Sequence, residues 1–143
     1  MSLINVFYED IEILDLDPEF FVSWLSKVCM REQAVLGEVN LIFCSDEYLL
    51  DVNKEFLKHD YYTDIVTFDY TTDNCVSGDL FISLDRVREN AEERSVNVVE
   101  ERNRVVVHGV LHLLGYKDKS DMDKKIMRVK EDEGLMLVVP RET

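Results

Sequence analysis

NVVEERNRVVVHGVLHLLGYKD, residues Asn97 to Asp118, is the stretch whose reading organises the whole chain. Asn97 with Glu100 three positions on resembles a capping box, in which the asparagine oxygen accepts a free N–H of the first turn and the glutamate reaches back. Val105, Val106, Val110, Leu111, Leu113 and Leu114 make the helix apolar on nearly every side, so it is expected to be buried, and to end at Gly115. His108 and His112 interrupt the apolar run four residues apart. That spacing puts both imidazoles on one helical face about one turn apart, where a single divalent ion can bind both. Past Gly115 the chain can turn back, and Asp118 can then bring a carboxylate to the same place as a third ligand.

A buried imidazole has two ring nitrogens to satisfy, and leaving one unpaired costs on the order of 1–3 kcal/mol. Core carbonyls are one solution and a shared metal ion is the other. A lone histidine on an apolar helix favours the carbonyls; two at ligand spacing, with a carboxylate just past the helix end, favour the metal. A His-His-carboxylate set leaves a fourth position for water, as in catalytic zinc sites, and zinc lowers the pKa of that water to about 7. In zinc peptidases with histidines at this spacing, the residue after the first is a general-base glutamate. Here it is Gly109, which counts against peptide cleavage.

Outward from this helix, strands and helices interleave. A strand is expected from about Leu3 to Tyr8, then a helix capped by Asp17 with Pro18 in its first turn, running to about Met30. Residues Val39 to Phe43 read as a mostly buried strand, and Ser45 caps a short helix carrying Tyr48, Leu49, Val52 and Phe56. A polar loop over 57–63 leads into Ile65-Val66-Thr67-Phe68, and a turn at 71–75 into Gly78-Asp79-Leu80-Phe81-Ile82-Ser83. The short link predicts that these two strands are antiparallel. Residues 84–93 are helical, and the box Ser120-Asp121-Met122-Asp123 opens a last helix that is expected to run to Glu133 and stop at Gly134. The order predicts an α+β fold: a small mixed sheet of about four strands packed with about five helices, with the metal site on a buried helix.

A chain of 143 residues with no Pro/Gly-rich linker or repeat is expected to form one domain over 1–143. No apolar run approaches the roughly 18 residues needed to cross a bilayer, so no membrane partner is expected. The three cysteines contain no Cys-x-x-Cys pair, which fits a reducing, cytoplasmic setting rather than a disulfide scaffold or a thiolate zinc site. The formal charge is −14, unfavourable for non-specific nucleic-acid binding. It is unevenly spread. Residues 1–80 carry 4 Lys/Arg against 17 Asp/Glu, and residues 81–130 carry 11 against 9. The basic residues gather in the half that holds the histidines.

The motif His108 to Tyr116 resembles that of the YbeY family of bacterial metal-dependent endoribonucleases, whose signature is similar to His-Gly-x-Leu-His-Leu-x-Gly-Tyr-Asp-His. Asn53-Lys54-Glu55-Phe56, Asp60, Thr63-Asp64-Ile65-Val66-Thr67-Phe68 and the strand from Gly78 to Ser83 match in the same order, so the resemblance covers roughly residues 39–133. It implies a zinc-dependent endoribonuclease that matures ribosomal RNA, a hydrolase working in ribosome biogenesis, with no DNA partner. Two positions depart from the pattern. Asp118 stands where the family usually has its third histidine, and is carried over as an aspartate variant of the ligand set His108, His112, Asp118. It weakens selection for soft metals and admits other divalent ions beside zinc. Leu57 stands where the family usually has an arginine suited to phosphate, with Lys58 and His59 next to it. Arg102, Arg104, Lys117 and Lys119 are candidates for steering phosphate, and Asp64 for accepting a proton, though no catalytic base is assigned. Two other readings stand beside this one. One is a non-catalytic ribosome-assembly factor with a structural metal, whose acidic half meets small-subunit ribosomal proteins. The other is a metallohydrolase of another substrate class.

Overall fold

The computed structural model describes residues 3–138; residues 1, 2 and 139–143 of the expected single domain lie outside the described residues. The elements run β1 (Ile4–Glu9), α1 (Pro18–Arg31), β2 (Val35–Cys44), α2 (Asp46–Leu57), β3 (Ile65–Asp69), β4 (Cys75–Ser83), α3 (Leu84–Arg94), α4 (Val98–Leu113) and α5 (Asp121–Leu135). This is the α+β arrangement expected, with four strands and five helices among the described residues.

The strands form one mixed sheet in the order β1-β2-β4-β3. β1 and β4 both run parallel to β2, and β3 runs antiparallel to β4 across the short turn. Side chains alternate between the two faces of the sheet. Val39, Leu41 and Phe43 of β2 and Leu80 and Ile82 of β4 therefore join the main core, with Trp24 and Leu25 of α1 and Val106, Val110 and Leu111 of α4. Cys44 points the other way, into a smaller cluster with Leu49 and Val52 of α2 and Val66 of β3. α4 lies centrally, packed against β3, β4, α3 and α5.

Local chemistry sets most of the ends. Asp17 accepts the N–H of Glu19, Ser45 that of Tyr48, and Ser83 that of Arg86. Ser120 and Asp123 form the reciprocal box. At α4 only half of the expected box forms: Asn97 accepts the Glu100 N–H at 2.7 Å, and the return bond is not made.

Gly134 corrects the expected end of α5, because the helix continues through it to Leu135. This glycine is a contact residue rather than a stop. A Cβ there would lie 2.8 Å from Val107 Cγ2, and its carbonyl accepts the Trp24 indole N–H at 2.8 Å. The absence of a side chain lets α5 close onto α4 and α1.

Gly109 does the same on the opposite side of α4. A Cβ there would lie 2.7 Å from Ile65 Cδ1 and 2.9 Å from Leu80 Cδ1, so the histidine helix rests directly on β3 and β4. No helix is long and apolar enough to cross a membrane among the described residues.

Two outcomes are expected. Gly109→Ala gains about 1 kcal/mol in helix propensity but overpacks the helix–sheet contact by about 1–3 kcal/mol. The urea midpoint should fall with m unchanged, and a midpoint at or above that of the parent would refute the close-contact role. Cys29 and Cys44 are buried, and burial is the main cause that pushes both thiols up to about 12. At pH 8 a disulfide reagent should therefore react with Cys75 alone in the native protein and with all three cysteines after denaturation.

Candidate metal centre

The C-terminal turn of α4 is built to send the chain back over its own histidines. Gly115 has φ +103°, a conformation a side chain would strain. The Gly115 N–H donates to the His112 carbonyl and the Tyr116 N–H to the Leu111 carbonyl, each at 3.0 Å. That pair of bonds is a Schellman closure, with helix residues Leu111 and His112 as acceptors. Beyond it, the Tyr116 hydroxyl donates to Glu32, which also takes Lys130 Nζ at 3.3 Å. The segment that carries Asp118 is thus anchored to α1 and α5.

The ring nitrogens are divided between holding and facing inward. His112 Nδ1 lies 2.9 Å from the Tyr116 carbonyl, which can only accept, so this nitrogen carries the proton and Nε2 is a lone pair. His108 Nδ1 lies 2.6 Å from Glu131 Oε2. The two Nε2 atoms are 3.0 Å apart, with ring planes at 80°. Asp118 Oδ2 is 3.5 Å from His108 Nε2, and the ligand atoms of His108, His112 and Asp118 all lie within 4.8 Å of one another. The three residues singled out from spacing therefore meet at one point.

This donor set fits a divalent ion. Tetrahedral zinc with Zn–N bonds of about 2.0–2.1 Å separates two nitrogens by about 3.3 Å, close to the spacing of the imidazoles. Glu131 and the Tyr116 carbonyl supply the outer hydrogen bonds that metal-binding histidines ordinarily make.

The electrostatics follow from burial and neighbours. Burial pulls His108 down, but the hydrogen bond and charge of Glu131, aided by Asp64 and Asp118, raise it above the usual imidazole range. His112 is lowered, by burial first and then by the charge on His108. Burial raises Glu131, yet the bonds from His108 and Arg104 outweigh it and hold the carboxylate below its usual range. Arg104 spans Glu131 and Asp132, at 2.9 Å to each.

Beside the ligands opens a cavity of about 290 Å³, walled by Asp64, Arg94, Glu101, Arg104, Asp118, Lys124, Arg128 and Glu131. Glu101 is 2 % exposed and raised by burial, with Arg94 at 3.3 Å opposing the shift. Asp64 is raised by burial as well.

The phosphate-steering candidates divide. Arg104 lines the cavity, but as a partner of two carboxylates. Arg102 lies over the Phe21 ring at 5.4 Å and hydrogen-bonds Asn103, outside the lining. Lys117 and Lys119 are exposed and likewise outside it. Leu57 ends α2, Lys58 forms its left-handed cap, and His59 is stacked on Tyr61.

Glu131 went unnoticed in the sequence. Its signal was there: a carboxylate four residues after buried Met127, on the inward stripe of α5. Glu101, Lys124 and Arg128 carried no such mark.

The chain matches the family model described as Endoribonuclease YbeY over residues 9–138. It is 50% identical over 135 residues to an Endoribonuclease YbeY of Flavobacterium johnsoniae, covering 94% of this chain and 96% of that one. To the protein of the same name from Porphyromonas gingivalis it is 44% identical over 138 residues, covering 96% and 91%. A Thermotoga maritima protein whose structure was solved in solution shares 26% identity, with a TM-score of 0.62 over 93% of this chain and 88% of the other.

Glu131→Gln keeps the shape of the side chain but removes the charge that orients His108. Affinity for zinc, measured by competition with a chromophoric chelator, should fall by about 10–100-fold while the fold is retained. Unchanged affinity would detach Glu131 from the site.

Proposed function

Because the chain belongs to the endoribonuclease YbeY family, we propose that it is a single-domain, metal-dependent endoribonuclease that processes ribosomal RNA during ribosome maturation in the cytoplasm. The observation that carries this reading is the convergence of two outer-bonded imidazoles and a carboxylate beside a polar cavity that holds both acidic and basic side chains.

His108, His112 and Asp118 would hold the ion, with zinc the first choice for two nitrogen ligands and the single carboxylate admitting other divalent metals. Bound there, the ion would supply Lewis acidity toward a phosphate oxygen and would lower the pKa of water. The protein does the rest by placement. The Tyr116 carbonyl and Glu131 hold each imidazole with Nε2 inward, and the Schellman turn returns Asp118 to the same point. Arg104 keeps Glu131 ionised and in register with His108. The wall of the cavity leaves an approach for a strand of RNA from the α5 side, where Lys124 and Arg128 are exposed. Leu57, at the family's usual arginine position, is not among the lining residues, so phosphate has to be met elsewhere on the wall.

Gly109 follows the first histidine where a peptidase has its glutamate, and it packs against Ile65 and Leu80, leaving no room for an acid. Peptide bonds are accordingly not the proposed substrate.

Zinc-loaded protein should cut a structured ribosomal RNA fragment, and chelation should abolish the cut. His112→Ala should lower kcat/KM by more than about a hundredfold, beyond what loss of an orienting residue costs. Equal cleavage by the folded His112→Ala protein would refute the reading and favour a metal that serves structure alone.

A further inference from the structure

We propose that Lys124 and Arg128 form a subsite for an RNA backbone phosphate other than the one that is cut; the inference rests on the endoribonuclease reading of the same cavity. The charges on the cavity wall are unevenly paired. Arg94 is paired with buried Glu101 at 3.3 Å, and Arg104 with Glu131 and Asp132 at 2.9 Å each. His108 is flanked by Glu131 and Asp118. Lys124 and Arg128 line the same space and form no ion pair among the described residues.

Their placement suits a phosphate. Four residues apart on α5, they share one face of the helix one turn apart, on either side of buried Met127. Both are exposed, at the rim, whereas His108 and Glu131 are partly or wholly buried deeper in the wall. A guanidinium offers a planar pair of donors to two phosphate oxygens, and an ammonium adds a mobile point charge. Lys130, farther along α5, is tied to Glu32 and Glu133, so it does not compete for the same anion. On a chain of charge −14, two unpaired cations at the mouth of a metal-ligating cavity mark where a polyanion is drawn in. One phosphate would sit at the metal ligands, and its neighbour along the strand would reach the rim.

The test compares a hexanucleotide, which has flanking phosphates, with a dinucleoside monophosphate, which has only the bond that is cut. For the zinc-loaded Lys124→Ala/Arg128→Ala double variant, the ratio of kcat/KM for hexanucleotide over dinucleotide should fall about tenfold relative to the parent. The loss should sit in KM, and the salt slope of hexanucleotide binding should flatten by about 0.7, one phosphate contact on a single strand. Lys125→Ala removes a single positive charge from the same helix without touching the cavity wall, and set against the single variants Lys124→Ala and Arg128→Ala it should leave the ratio and slope as they are. An unchanged ratio in the double variant, an equal loss on both substrates, or the same loss in Lys125→Ala would overturn the subsite. If the parent cleaves neither substrate, nor the structured ribosomal RNA fragment, the endoribonuclease reading has failed. Where neither short substrate is cut, fluorescence anisotropy with a 2′-O-methyl hexanucleotide decides the subsite: about tenfold weaker binding by the double variant upholds it, and equal binding or none by the parent sinks it.

Discussion

The site depends on one constraint: each histidine has its outer nitrogen committed, so the inner nitrogen has nowhere to point but at its neighbour. His112 spends Nδ1 on a backbone carbonyl and His108 spends its own on Glu131. The remaining two nitrogens face each other at 3.0 Å. Lone pairs held this close repel unless a proton or a metal ion lies between them. Against burial, the hydrogen bond and charge of Glu131 raise His108, while burial and then the charge on His108 lower His112. The convergence of the two inner nitrogens is thereby set by Glu131 and the Tyr116 carbonyl, groups outside the trio itself.

Everything around α4 serves to hold that arrangement still. Gly109 seats the helix on β3 and β4, and Gly134 lets α5 come close enough for Glu131 to reach His108. Both contacts exclude a methyl group, so the separation of the elements is set by backbone against side chain and not by a compressible layer. The Schellman turn and the bonds from Tyr116 and Lys130 to Glu32 bring Asp118 back from the helix end. A loop residue becomes as well placed as a helical one.

Burial of charge shapes the rest of the cavity. Glu101 and Glu131 are carboxylates that water barely reaches, and each has an arginine beside it. Removing either partner would strand a buried charge, at a cost of several kcal/mol. Arg94 and Arg104 are therefore occupied in keeping the protein folded. The cations left to meet a substrate lie on the first turns of α5, at the rim.

Read alone, the sequence determined the alternation of elements, the antiparallel β3–β4 pair, most helix caps and the trio His108, His112 and Asp118, whose side chains the fold brings within 4.8 Å of one another. All of these rest on contacts between residues close in the chain: a cap bonds two or three positions away, and a four-residue helical spacing fixes a shared face whatever surrounds it. Gly134 was misread as a stop because a helix-ending glycine and a close-packing glycine look the same in one dimension; only the arrival of Val107 and Trp24 tells them apart. Arg102 and Arg104 looked alike, yet one covers Phe21 and the other secures Glu131, because two residues put them about half a helical turn apart, on opposite faces of α4. Glu131, Glu101 and the rim pair of Lys124 and Arg128 came together only through tertiary structure, because which charges are paired and which are free depends on the packing of α3, α4 and α5, and no spacing along the chain encodes that.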